Sequence, residues 1–508
     1  MNLFKNKLTS NSVPIKTNRT AIVGAGVAGM TAAIYLLRSG CDVTVYEKHS
    51  ISGGVCTGWK RKGYFFEGAV HWLTGSKADV QLYRLWRDTG ILADGVKTYR
   101  EDPFLSITVG GEEIYLYRDL EKQKKHFLAI SPEDAKAIER FYRDVKSFLH
   151  FQMPVVDIKG VKVKNRSKSK LCTGLKMLPV LIKAARLSRI STEEYAAQFK
   201  HEGIKKFLSE FIVRPDYFAV ALVATIATQI KDGVFPEGGS LALAKRMENK
   251  IIELGGKILF NTEVEKIAVE NGVTKGVTVN GKTELYDAVI VAADTVSAQN
   301  LFDSPPSDKW IQEIKTKKPM LCTFVGIGVR ENLSNLPCSI CINEKITVGG
   351  VDYGIWGLRN YSKHGEFAPE GCTSLTAMFT DDSYDFWKKH KQNGSYYEQK
   401  TQLAAEIARL IEKHLPQLKG KIEVIDIATP LTYERYTASH KGAWMTVKEK
   451  SKNYRFLMPE PVCKGIKNVY FAGFRTISPG GLPIALYSGF RAAQYVCRDN
   501  CIVFEGQI

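Results

Sequence analysis

No stretch of this sequence is apolar enough to cross a bilayer. The longest run, Tyr217 to Thr228, is about a dozen residues, whereas a spanning helix needs roughly 20, so it is expected as a buried or interfacial segment. The first residues are polar, carry Lys5, Lys7, Lys16 and Arg19, and lack the apolar core of a secretory signal. Cysteine is sparse, ten in 508 residues. That is far below the density of a disulfide scaffold and predicts reduced thiols in a cytoplasmic protein. The one close pair, Cys338-Ser-Ile-Cys341, enters an apolar run that reads as strand, where positions three apart face opposite sides. With no second pair and no nearby histidine pair, no metal site is predicted. Acidic residues are also few, 53 Asp+Glu against 71 Lys+Arg, for a net charge of +18. Such a surplus attracts phosphates of any kind. No aromatic-interleaved basic stripe or nucleic-acid fold signature accompanies it, so nucleic acid is not a predicted partner.

What is present is a globular composition, 44% hydrophobic, in a chain long enough for two or three domains, including domains built from interleaved segments. Thr20-Ala-Ile-Val23 reads as a short strand and runs straight into Gly24-Ala-Gly26-Val-Ala-Gly29. A helix through Arg38 closed by Gly40 follows, then a second strand, Asp42 to Tyr46, ending in Glu47. This is a dinucleotide-binding βαβ unit. Gly24 makes the tight turn, Gly26 lets backbone approach a pyrophosphate, and Gly29 lets the helix pack closely on the strand. Glu47, 18 residues beyond Gly29, is placed to accept both ribose hydroxyls.

A second glycine pair, Ser52-Gly53-Gly54-Val55-Cys56-Thr57, follows within a few residues, and then Gly63-Tyr-Phe-Phe-Glu67-Gly68. In this order the blocks resemble the FAD-dependent amine oxidase and phytoene desaturase superfamily. The likeness departs at Val55, where arginine is common, at Thr57, one position early, and at Gly68, directly after Glu67. No second GxGxxG follows; Gly326-Ile-Gly328 comes nearest and lacks the third glycine, so FAD alone is implied. Phe235 to Val264 resembles the family block in which the final valine contacts the adenine, a role that falls to Val264. Asp287 to Asp294 then reads as a strand returning to the FAD sheet. Asn468 to Gly473 reads as a strand ending in glycine, followed by Pro479-Gly480-Gly481-Leu482-Pro483 and a helix from Ile484. The resemblance implies cofactor binding by Gly24, Gly26, Gly29, Glu47, Lys48, Gly53, Gly54, Val55, Cys56, Gly68, Val264, Gly473, Gly480, Gly481, Leu482 and Pro483.

The fold this implies is α/β. A Rossmann-like FAD-binding domain of the glutathione-reductase type is built from residues 20–75, 231–300 and 429–508. An α+β substrate domain is interleaved from 76–230 and 301–428, the first part helical. Within the superfamily, the Gly473–Pro483 run, His71-Trp72 and Thr429-Pro-Leu-Thr-Tyr-Glu-Arg435 are similar to the branch of phytoene desaturases, carotenoid isomerases and retinol saturases. That branch implies an oxidoreductase acting on C–C bonds of a long apolar polyene, by hydride transfer to or from flavin N5. His71 is the candidate acid or base, with a structural histidine beside Trp72 as the alternative. Arg475 and Tyr487 are further candidates to face the flavin. An amine oxidase releasing hydrogen peroxide and a non-catalytic flavin-binding, membrane-associated protein are the competing readings.

Residues 155–190 carry ten Lys/Arg against Asp157 alone, a net +9 that is half the chain's excess. Lys159 to Lys170 reads as a polar loop, and Pro179 to Ile190 as an amphipathic helix with Pro179 as its first residue. A basic loop beside such a helix suits an anionic membrane surface, peripheral on its inner face; a solvated charged face is the alternative.

Overall fold

The structure, a computed structural model, describes residues 17–109, 112–164, 172–211, 216–380, 382–447, 458–477 and 480–506. Five parallel strands form its first sheet, in the order Val469–Phe471, Ala288–Val291, Arg19–Val23, Asp42–Tyr46, Lys257–Leu259. Three separated parts of the chain therefore build one sheet. Its inner strands are covered on both faces, which is why they read as apolar runs (Ala21-Ile-Val23, Ala288-Val-Ile-Val291) with no polar alternation. The helix Val27–Arg38 lies between this sheet and the last helix, Leu482–Asp499, and is buried almost all round. The two helices cross so closely that a Cβ on Gly489 would stand 2.1 Å from the Ala28 carbonyl oxygen.

The second sheet is antiparallel, in the order Ser339–Ile342, Trp356–Asn360, Thr373–Phe379, Thr323–Val329, Ile422–Ala428. Alternation along Thr323–Val329 decides its packing. Val325, Ile327 and Val329 share a core with Leu403, Ile407 and Leu410 of the helix Tyr396–His414. Phe324, Gly326 and Gly328 take the opposite face, against a hairpin formed by Gly58–Arg61 and Tyr64–Glu67. A Cβ on Gly326 would sit 2.3 Å from the Phe66 ring and one on Gly328 2.5 Å from the Tyr64 ring. The Gly-x-Gly of this strand is a space for two aromatic rings.

A helical layer, with Leu120–Ile130, Ala135–Phe148, Cys172–Leu187 and Ala219–Lys231, closes around Phe127, Phe141, Phe148, Leu222 and Val223. Within the apolar run Tyr217–Thr228, Ala219, Leu222, Val223, Ile226 and Ala227 form the inward face of the last of these. Among the described residues no helix is long and apolar enough to cross a membrane. This part of the chain also holds a hairpin, Leu105–Val109 with Glu112–Leu116, so it is not wholly helical.

The basic segment differs from its sequence reading. Its helix begins at Cys172, so Pro179 lies inside it and not at its first position; Leu175, Met177 and Leu178 ahead of the proline favour helix. Lys183 and Arg186 turn onto the buried Asp144, at 3.2 and 3.0 Å, and Lys164 reaches Glu505 at 3.1 Å. Arg166, Lys168 and Lys170 lie outside the described residues.

Candidate active site

The turn after the first strand is built as its glycines require. Gly24 has φ +103° and donates its N–H to Tyr46 O at 2.8 Å. A Cβ on Gly29 would stand 2.1 Å from Gly24 O, whereas above Gly26 the space is open, the nearest atom being Gly53 O at 4.0 Å. Gly53 in turn donates to Ala25 O at 2.8 Å, which lays the second glycine pair alongside the first. Glu47 ends the second strand, and its two carboxylate oxygens accept the N–H groups of Ala25 and His49, each at 2.8 Å.

These residues open onto one cavity of about 690 Å³. Its lining brings together fourteen of the residues singled out from sequence: Gly24, Gly26, Glu47, Lys48, Gly53, Gly54, Val55, Cys56, His71, Val264, Gly473, Gly481, Leu482 and Pro483. Two helix N-termini face it, those of Val27–Arg38 and Leu482–Asp499. Their caps, Gly26 and Gly481, supply no side-chain hydrogen bond, so the first N–H groups of both helices are left for a ligand. Gly473, at φ +139°, has nothing within 4 Å of where a Cβ would stand. An elongated chamber with a carboxylate, two glycine cradles and two uncapped helix ends fits a dinucleotide of the size and charge of FAD.

Four sequence candidates fall elsewhere. Gly29 packs the helix onto the strand, as its place in the motif requires. Gly68 donates to Thr57 O at 3.0 Å and lies against the Trp59 ring; it closes the hairpin and is off the cavity lining. Gly480 precedes the last turn and is also off it, while Pro479 lies outside the described residues. The Tyr487 hydroxyl is turned away to the Val156 carbonyl at 3.2 Å, so this ring does not face the cofactor chamber. Lys48 lines the cavity but is paired with Glu263 at 3.0 Å.

The other wall is chemically quieter. His71 is half-buried on the cavity; burial, then the positive charge of Arg359, hold its imidazole down to about 4, so it is neutral at pH 7. Burial pushes the Cys56 thiol up to about 12, with Glu67 adding to it. Glu67 itself is buried beneath this wall. Burial raises its pKa against hydrogen bonds that favour the carboxylate. Those bonds come from Ala69 N at 2.9 Å, Val70 N at 2.8 Å, Ser240 N at 2.7 Å and the Ser240 hydroxyl. It thereby ties the segment carrying His71 to the start of the helix Gly239–Glu253.

Sequence reasoning missed several parts of the lining. Tyr436 to Ser439 spans the end of the helix Pro430–Thr437, which is marked by Ala438 at φ +52°; the Thr429–Arg435 motif immediately before it was the available signal. Trp444 and Met445 also line the chamber. Arg475, named from sequence as a candidate to face the flavin, also lines it, bound to Asp294 at 2.6 Å with both side chains almost wholly buried.

A family model for flavin containing amine oxidoreductases matches residues 27–497. The chain belongs to that family. It is an FAD-dependent oxidoreductase of the α/β fold described above. A 4,4'-diapophytoene desaturase of Methylomonas sp is 23% identical over 96% of this chain and 97% of its own. Prolycopene isomerase 1 of an Oncidium hybrid cultivar is 22% identical, over 94% of this chain and 83% of its own. Among solved structures, an oxidoreductase from Methanosarcina mazei superposes with a TM-score of 0.58 at 17% identity, over 93% of this chain and 99% of its own. The family match thus takes in residues 27–497, nearly the whole length of the chain.

Proposed function

We propose that this flavoprotein desaturates, saturates or isomerises carbon–carbon bonds of a long apolar polyene or related isoprenoid. The carrying observation is the uncharged wall made by Ala69, Val70, His71, Trp72 and Cys56. An apolar chain needs a wall that presents no charge, and this one presents none. Full-length likeness to proteins named as a polyene desaturase and a polyene isomerase supports the same reading.

Gly24, Gly26, Glu47 and Val264 would hold the adenosine and phosphate end of FAD, and Gly473, Gly481 and Leu482 the flavin end. Bound FAD supplies two-electron redox chemistry, accepting or returning a hydride equivalent. The protein's own part is to hold the reacting bond in place and keep water from it. The neutral His71 can offer a hydrogen-bond acceptor without presenting a charge to the substrate.

Anaerobic titration of the reconstituted holoenzyme tests this. Polyenes are expected to bleach or shift the flavin absorbance. Bleaching by primary amines, with no response to any polyene, would overturn it in favour of an amine oxidase.

We further propose that the protein rests on anionic membrane. Leu181 and Ile182 are 55% and 65% exposed on the basic helix, beside the exposed Arg189, an arrangement suited to a lipid surface. Sedimentation with anionic vesicles should fall on replacing both apolar residues with glutamine; unchanged binding would remove this helix from the account.

A further inference from the structure

Behind His71 and Trp72 lies a second, much smaller chamber, about 20 Å³, room for a water or a small polar head and not for a chain. His71 and Trp72 line both spaces and form the partition between them. Two guanidinium groups face the small chamber, those of Arg118 and Arg359, against one carboxylate residue, Glu101.

Among the described residues neither arginine forms an ion pair with a carboxylate, although the nearby Glu101 adds favourably to the charge on Arg359. Arg118 gives its Nε to the Glu101 carbonyl at 2.7 Å and its terminal nitrogens to the carbonyl and side-chain oxygen of Gln229. Burial pulls it down only to about 10, so it stays charged. The Nε of Arg359 is buried with no hydrogen-bond partner, and its Nη1 meets only the Cys338 sulfur at 3.5 Å. Burial pushes that thiol up to about 11, so it offers no thiolate. A buried cation with an idle donor is costly. The planar fork of guanidinium donors matches the two oxygens of a carboxylate.

We propose that this chamber is a carboxylate subsite adjoining the flavin cavity, taking the acid end of an elongated apolar substrate whose chain lies along the His71–Trp72 wall. This rests on the polyene reading above and narrows it to a chain bearing a terminal carboxylate. The subsite gives the enzyme an end-reader: one terminus is fixed at Arg359, so the bond presented to the flavin is set by its distance from that terminus.

The holoenzyme is titrated with retinoic acid, with methyl retinoate and with acetate, following the flavin absorbance. The acid is expected to bind roughly tenfold or more tightly than the ester, the value of a charge-assisted hydrogen bond. That preference should vanish in R359Q while ester affinity and flavin content hold, and partly return in R359K. Equal affinity of acid and ester in the unmodified protein would overturn the subsite and leave the polyene reading intact. No response to either retinoid or to longer polyenes, with bleaching by primary amines, would overturn both. Acetate that abolishes the acid's preference at comparable concentration would assign the chamber to a free small carboxylate and overturn the substrate-end assignment.

Discussion

Glu67 and Ser240 are joined twice: one carboxylate oxygen accepts the Ser240 backbone N–H at 2.7 Å and the other accepts its hydroxyl. Gly239 makes this possible, since a Cβ there would stand 2.0 Å from the same carboxylate. E67Q offers one acceptor oxygen where four donors converge, and should lower stability by about 1–3 kcal/mol. G239A should do likewise through the clash. Both should also loosen the His71 segment, read as flavin loss at temperatures where the unmodified protein keeps its cofactor. Full flavin retention with unchanged melting would refute the tie.

His71 predicts an acid-sensitive window. Its folded pKa is depressed from 6.5 to about 4, so between those values the unfolded chain takes up a proton that the folded one refuses. Stability therefore falls as pH drops from 6.5 toward 4. Denaturant midpoints measured across that range should fall less steeply in H71N than in the unmodified protein; parallel curves would show that His71 does not titrate in this way.

Gly26 and Gly29 separate cofactor binding from folding. G26A places a methyl in open space at the cavity wall, on a backbone any residue adopts (φ −72°, ψ 171°). It should fold and melt as the apoprotein does, while retaining flavin at least about tenfold less well. G29A drives its methyl to 2.1 Å from a carbonyl oxygen and should yield little folded protein. Circular dichroism with released-flavin absorbance distinguishes the two; equal effects on both readouts would contradict the geometry.

The Arg475–Asp294 pair, at 2.6 Å and almost fully buried, should respond as a unit. R475M strands a carboxylate and should cost about 3–5 kcal/mol in urea unfolding. R475M with D294N should recover part of that loss. Additive losses would mean that the two groups do not depend on each other.

The glycine turn and the acid beside it were legible because their constraints are local. A tight turn, a close backbone approach and an acid at the next strand's end all lie between Gly24 and Glu47, where spacing alone reports them. The Asp294–Arg475 pair was not legible, because the two residues meet only when strands distant in sequence become neighbours. Tyr487 was misplaced for a related reason: its helix was expected correctly, but which side of that helix meets the cavity depends on the segment around Val156. The helix through Pro179 shows a helix-favouring stretch ahead of a proline outweighing the rule that proline opens a helix. Gly326 and Gly328 were set aside as a nucleotide motif, yet their purpose emerged only with the Tyr64 and Phe66 rings against them.

That hairpin has a further consequence. Trp59 bonds Asp426 at 2.7 Å, Tyr64 bonds Glu423 at 2.6 Å and the Phe65 carbonyl accepts from Ser374 at 2.6 Å, all on the antiparallel sheet. Two residues further along, Glu67 grips the helix that flanks the parallel one. The two sheets consequently share a single part, and neither can be repacked privately. A substitution that reshapes the floor of the antiparallel sheet is transmitted through Phe66 and Glu67 to the peptide that carries His71. Tuning one sheet in this family member therefore means retuning the other.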